Sequence, residues 1–350
     1  MQAPRFGPWA QYGRKLAHWV GCCEELVVAA SELARGFIEG LLYGSLLGAI
    51  SVGLTLIWGV MKVVNLAHGH LIVLAAMFAA NFYMLYKVAL LNPMGAIITM
   101  GVFGVAMGAL LYYTSVHPII GHVDVITLKH EMATLMATFG FGLTLFGLHY
   151  ALAAWTNWYS TEPGISWSFG HPPYVTIGSS ITIVKTKILV GVISFVIAFA
   201  LFAIVRLTDL GLMIQAVTQD SRALALVGIN PVRIKLLTTI LAVAFAMATG
   251  PLYLAWAGSV NPLKESIIAP LAFVIVVAGG LGSIMGSYVA GLILGLTYEL
   301  VVAATQEVSI ALVVTFFILL LILALKPTGL FGYLDDRLAS ALRRRRGVAE

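Results

Sequence analysis

Of the chain's 350 residues, 60% are hydrophobic and only 10% charged, against about 25% charged in an average soluble protein. With a mean hydropathy of +0.98, too little polar surface remains to cover a soluble globule, and the chain is expected to fold in a bilayer. The net charge of +5 does not indicate nucleic acid, because Lys326, Arg337, Arg343, Arg344, Arg345 and Arg346 cluster at one end, where they read as a cytoplasmic anchor.

In a bilayer core every backbone N–H and C=O must be paired within the protein, which leaves helices and closed barrels. The apolar runs here are continuous and long, which suits helices. Residues 1–35 form an N-terminal tail whose segment 17–33 reads as interfacial. Its two cysteines, Cys22 and Cys23, are adjacent and too strained to form a structural disulfide. Apolar runs follow at 36–60, 68–87, 94–114, 132–155, 187–206 and 236–257. The composite run 267–303 is too long for one crossing at about 1.5 Å per residue, so it is divided near Ser283, within a stretch rich in glycine. The last run is 308–325. The expected fold is all-α, a polytopic membrane protein with about 8–10 transmembrane helices, some of them broken.

Lysines and arginines near the segment ends orient the chain. The basic tail is assigned to the cytoplasm, and counting back puts loop 207–235, with Arg222, Arg233 and Lys235, on the same side. Loop 115–131 also falls inside. Loop 156–186 falls outside; it and its flank carry Trp155, Trp158, Tyr159, Trp167 and Tyr174, consistent with an interfacial aromatic belt. The same count puts residues 1–35 outside.

No catalytic, cofactor or metal motif is present. There is no G-x-x-x-x-G-K-[ST] loop for nucleotide, and His68 and His70 stand at i,i+2, which point apart on a helix. Glu39, Glu131 and Glu299 fall at segment ends, where water or headgroups are expected to solvate them. No carboxylate stands obviously in mid-span, which disfavours an ion-coupled carrier. Two features remain. Asn65-Leu66-Ala67-His68-Gly69-His70 interrupts two apolar runs, either as a broken helix beside a pathway or as a tight turn. In the loop 211–235, Asp220 opens a short helical pattern, Gly228 offers a stop, and Asn230-Pro231 makes a turn. This segment reads as either a docking knob or a connector.

Four blocks in this order resemble the permeases of the branched-chain amino acid ABC importers. The first is Gly53-Leu54-Thr55 through Gly59 to Asn65-Leu66-Ala67-His68-Gly69, similar to the family's N-F-A-H-G. The second is Asp220 to Gly228-Ile229-Asn230, which looks like the cytoplasmic coupling segment, with Ala223 inside it. The third is Asn261-Pro262 followed by Gly279-Gly280-Leu281-Gly282-Ser283-x-x-Gly286, and the fourth is Pro327-Thr328-Gly329-Leu330-Phe331-Gly332.

The resemblance implies a transmembrane permease domain over 36–326 and a basic cytoplasmic tail over 327–350, in a prokaryotic cytoplasmic (inner) membrane. It implies a second permease, identical or related, two cytoplasmic ABC ATPase subunits and an extracytoplasmic solute-binding protein. ATP is used by those partners, with no cofactor in this chain. Candidates for the pathway or gate are Asn65, His68, Gly69, His70, Gly279, Gly280, Gly282 and Ser283; those for coupling are Asp220, Ala223, Gly228, Ile229 and Asn230. Some positions depart from the family pattern. His70 stands for a common acid, Gln219 for another, and His117-Pro118 for an Arg-Pro element; Asp209, Leu212 and Gln215 differ in the coupling region. An ion-coupled secondary transporter of a small polar solute is the alternative.

Overall fold

The computed structural model describes residues 9–86, 93–123, 126–156, 174–177, 181–258, 260, 265–326 and 328–331, with side chains from residue 30 onward in the first helix. Helix α1 spans Trp9–Met61, α2 His68–Tyr86 and α3 Pro93–Leu111. A π-helical turn, Tyr112–Val116, joins α3 to α4, His117–Ile120. Helix α5 covers Leu128–Thr156, and strands β1 (Tyr174–Ile177) and β2 (Ile181–Val184) precede α6, Lys185–Leu207. Then come α7 (Asp209–Gln219), α8 (Ser221–Leu226), α9 (Pro231–Ala257), α10 (Glu265–Gly279), α11 (Ile284–Thr305) and α12 (Val308–Leu325). Among the described residues, seven helices are long and apolar enough to cross a membrane, and the shorter apolar stretches His68–Ala80 and Ile267–Gly279 stand where two further segments were expected. The composite run does divide at Gly280–Ser283.

Several local expectations change. The backbone of α1 is helical through residue 35 without a break, so the limit between tail and membrane domain is not a backbone boundary. Most side chains of segment 17–33, nearly all of tail 327–350 and most of the proposed aromatic belt lie outside the described residues. The third span continues to Ile120 rather than ending at 114. Pro118 sits in the first turn of α4, directly after the π-helical turn. The fold also includes one antiparallel hairpin, Tyr174–Ile177 against Ile181–Val184. Its strands are rich in the β-branched residues that favour a pleated surface.

Packing follows from glycine spacing. Gly36, Gly40, Gly44 and Gly48 recur every fourth residue and so line one face of α1. That face lies antiparallel against α11: a Cβ on Gly36 would stand 2.6 Å from the Ala303 Cβ, and one on Gly44 would stand 2.6 Å from the Leu292 Cα. Lipid offers no hydrophobic drive for helices to associate, so such close backbone approach supplies van der Waals contact instead. A second seam uses Gly104 and Gly108 of α3 against Ala244 and Ile240 of α9, at 2.7 and 2.8 Å. Short polar side chains stitch α1 to α11 and to α6. Ser45 Oγ donates to the Gly191 carbonyl at 2.9 Å and lies 2.8 Å from Tyr288 Oη, and Thr55 Oγ1 donates to Ser287 Oγ at 2.7 Å.

The two ends of the bundle are distinct. At one end, Val60 and Met61 of α1 share a core with Val116, Ile120, Ile214, Val217, Leu224 and Ile234. Tyr112 Oη donates to the Val232 carbonyl at 3.0 Å, and Lys235 Nζ donates to the carbonyls of Ile120 and Val123, both at 2.9 Å. The basic side chain thereby meets the last carbonyl of α4 and one in the loop that follows it. The α10–α11 turn and residues 328–331 are at this same end, through Gly59 beside Gly282 and Leu330 N–H bound to the Ala278 carbonyl. At the opposite end, the start of α6 meets α1 through Lys187 and Glu39. Loops 115–131 and 207–235 therefore share one end with the α10–α11 turn, as expected, and the hairpin lies at the other.

Candidate functional site

The first break starts where Met61 ends α1. Lys62 takes a left-handed backbone, φ 53°, and the next residues run without helical structure to His68. They return into the bundle: His68 Nε2 is 2.8 Å from the Ile50 carbonyl, and Gly53 lies against the His68 ring. Those contacts put His68 about 12 Å above the end of α1. Asn65 and His68 are 2% and 1% exposed. Asn65 Oδ1 accepts from Ala67 N–H at 3.1 Å, tying the turn that opens α2. Thr138 of α5 clamps the extended piece, donating to the Val64 carbonyl and accepting from Leu66 N–H, both at 3.3 Å. Gly69 meets Ala269 of α10, and His70 is half-buried, edge-on to Phe146 and close to Gly142. Asn65 Nδ2 and His68 Nδ1 are buried without a hydrogen-bond partner among the described residues. A surface turn would leave these groups to water; here they sit inside the protein.

The second break terminates α10. Gly280 and Gly282 have φ of 106° and 91°, which only glycine adopts without strain. Ser283 caps α11, its Oγ accepting from Gly286 N–H at 3.2 Å. Gly279 packs on Gly286 and Ser287. The chain after α12 folds back onto this turn: Leu330 N–H donates to the Ala278 carbonyl at 2.8 Å, and Phe331 N–H to the Gly279 carbonyl at 3.1 Å. The described parts of the third and fourth sequence blocks, Gly279–Gly286 and residues 328–331, thus pack together. Both breaks lean on α1, one at Gly53 and the other at Gly59, levels about 9 Å apart. Among the described residues, no hydrogen bond joins Asn65 or His68 to Gly279–Ser283.

The third candidate is a compact knob. Asp220 caps α8, its Oδ1 accepting from Arg222 N–H at 2.8 Å and Ala223 N–H at 3.0 Å. Gly228, φ 86°, ends it, with Ile229 N–H donating to the Leu224 carbonyl at 3.3 Å. Asn230 then caps α9 through a 2.9 Å bond from Val232 N–H. Leu224 points into the core, while Leu226 and Val227 are 89% and 72% exposed. Two apolar side chains on a capped, protruding turn are a surface that a partner can cover.

One expectation fails. Glu39 and Glu299 are not solvated at segment ends; they are 8% and 9% exposed, packed in the α1–α11 seam. Their neighbours explain this: α1 extends well beyond residue 39, and Lys187 from α6 covers Glu39 with a 2.6 Å ion pair. An i,i+4 glycine seam running up to Gly36 was the signal that α1 and α11 stay in contact at this level.

The sequence model of the branched-chain amino acid transport system / permease component family matches residues 36–324. The chain belongs to that family. Among curated relatives, the high-affinity branched-chain amino acid transport system permease protein LivH of Escherichia coli K12 is 27% identical over 302 residues, covering 84% of this chain and 94% of LivH. BraD of Pseudomonas aeruginosa, with the same description, is 26% identical over 312 residues, with the same coverage. No solved structure matches significantly. The family is a multi-pass membrane permease component, not an enzyme. Its matched span runs from the start of the α1 glycine face almost to the end of α12, and so takes in both breaks and the α8 knob.

Proposed function

We propose that this chain is the path-forming permease subunit of an ABC importer for branched-chain or related amino acids. The observation that carries the reading is the family match over residues 36–324, with relatives named as branched-chain amino acid permeases at 94% coverage of their own length. Those names favour it over an ion-coupled carrier. The chain has no nucleotide-binding loop, so ATP hydrolysis belongs to cytoplasmic ATPase subunits. Their docking surface is α8, with Asp220 and Gly228 fixing its ends, Ala223 permitting close approach, and Ile229 and Asn230 turning the chain into α9. The end carrying α8 and the basic tail faces the cytoplasm of a prokaryotic inner membrane. A second permease, identical or related, completes the pathway, and an extracytoplasmic binding protein delivers solute to the opposite end.

In this reading Asn65, His68, Gly69 and His70 form one interrupted segment at the pathway, and Gly279, Gly280, Gly282 and Ser283 form the other. Interrupted helices in the two halves of a transporter commonly flank its solute path, because freed backbone groups need polar surroundings. The subunit moves solute without covalent chemistry: ATP-driven motion enters at α8 and reaches α1 and α9 through the core they share.

The test is reconstitution. Alone in proteoliposomes the chain should hydrolyse no ATP and accumulate no leucine; with its ATPases, partner permease and binding protein it should do both. Concentrative uptake by the chain alone, driven by a proton or sodium gradient, would overturn the proposal.

A further inference from the structure

At the end of the bundle opposite α8, helices α1, α6, α9 and α11 gather Glu39, Lys187, Glu299 and the rings of Tyr43, Trp256 and Tyr298. Lys187 Nζ donates to Glu39 Oε2 at 2.6 Å and stands 5.0 Å from the centre of the Trp256 ring. Tyr43 stacks on Trp256, centroids 5.2 Å apart, and lies 5.3 Å from Tyr298. Glu299 is 9% exposed, and no hydrogen bond or ion pair to its carboxylate is found among the described residues. The charged groups acting on it are Lys187, Glu39 and Arg35. Arg35 is engaged by Glu32 at 2.7 Å, and Lys187 by Glu39.

The charges are unbalanced. The Lys187 ammonium acts on both carboxylates, but its hydrogen bond goes to Glu39. A carboxylate held in such a seam is costly until a positive group meets it, and the Trp256 ring already faces the Lys187 ammonium. The site is not sealed, since the Lys187 side chain keeps 28% of its surface exposed. Its ammonium has three donors and gives one to Glu39, so it can also meet a carboxylate. A cluster with a largely buried glutamate that holds no ion pair of its own among the described residues, beside a part-exposed ammonium, is complementary to a zwitterion.

We propose that Glu299, beside Tyr43 and Tyr298, receives the ammonium group of the amino acid entering from this end, with Lys187 meeting the carboxylate. The proposal rests on the importer reading and deepens it, by placing the first contact inside the permease and requiring a free ammonium on the solute. The solute's apolar side chain plays no part in this contact, so the site selects for amino acids as a class.

The test uses the complete importer in proteoliposomes with leucine. Glu299→Gln should lower the ratio of leucine imported to ATP hydrolysed at least tenfold, while stimulated hydrolysis, governed at the far end, stays within twofold. Glu299→Asp, which keeps the charge, should restore most of the ratio. A Glu299→Gln ratio equal to wild type overturns the proposal, as does equal loss in the Gln and Asp variants, which indicates a packing role. A second measurement needs no variant. A hydrophobic carbodiimide should modify Glu299 in the wild-type importer; leucine should protect it, and 4-methyl-2-oxopentanoate, the same skeleton without the ammonium, should not. Labelling that is identical with leucine, with the oxo acid and with neither overturns it. A wild-type importer that moves no amino acid would overturn the function proposed above, whereas normal wild-type uptake with an indifferent Glu299 removes only this inference.

Discussion

Replacing Gly44 by alanine places a Cβ 2.6 Å from the Leu292 Cα, 2.8 Å from its carbonyl oxygen and 2.9 Å from the Gly291 carbonyl oxygen. All three are backbone atoms, so no side chain can swing away. Reaching an ordinary contact of 3.4 Å requires α1 and α11 to part by roughly 0.8 Å at that level. A gap of that size forfeits about a quarter to a half of each contact's dispersion energy, along a seam that has no hydrophobic drive to replace it. Overpacking of this kind costs about 1–3 kcal/mol. Alanine returns up to about 1 kcal/mol as helix propensity, leaving a net loss of up to about 2 kcal/mol. Gly140→Ala and Gly147→Ala are the internal controls, since a Cβ at either position has nothing within 4 Å. Denaturant titration of the purified permease in mixed micelles should show Gly44→Ala less stable and the two controls equal to wild type or slightly more stable. If Gly44→Ala matches the controls, the glycine face is not what holds α1 to α11.

Gly228→Val should disrupt the end of α8, because a β-branched residue resists φ of 86°; binding-protein-stimulated ATP hydrolysis should fall several-fold while the permease still elutes as a folded species. In a Cys22→Ser/Cys23→Ser background, Arg222→Cys and Lys326→Cys should react with impermeant thiol reagents from one side of the membrane, and Gln306→Cys from the other. Reaction of Arg222→Cys and Gln306→Cys from the same side would refute the two-ended arrangement. A Thr55→Cys/Ser287→Cys pair should cross-link under mild oxidation, since the native hydroxyl oxygens are 2.7 Å apart; the bridge should arrest uptake until reductant is added, and a pair that never links would refute the seam's register.

The helices were legible because lipid enforces long uninterrupted apolar runs, and the split at Ser283 because four glycines cluster there. The α8 knob was equally legible, since Asp220, Gly228 and Asn230 act through local backbone bonds that spacing alone can suggest. Depth was not legible. Asn65 and His68 read equally well as a surface turn, and what buries them is contact of His68 with Ile50 and Gly53, about 12 Å above the end of α1, and the clamp of Thr138 on the residues flanking Asn65, set by tertiary packing. The same blindness misassigned Glu39 and Glu299. A residue near the end of an apolar run reads as solvated unless the partner helix is known to accompany it, and here α6 brings Lys187 from 148 positions away.

The return of the chain onto the α10–α11 turn bears on how the protein can be trimmed or tagged. A version ending at Leu325 would keep every helix long enough to cross the membrane, yet it would strip the Ala278 and Gly279 carbonyls of the N–H groups of Leu330 and Phe331. It would also remove the Phe331 side chain from beside Gly286. The shortest useful C-terminus therefore lies beyond Phe331, and a fusion partner attached there would ride on α10 and α12 together, reporting the movement of the second break rather than that of a loose tail.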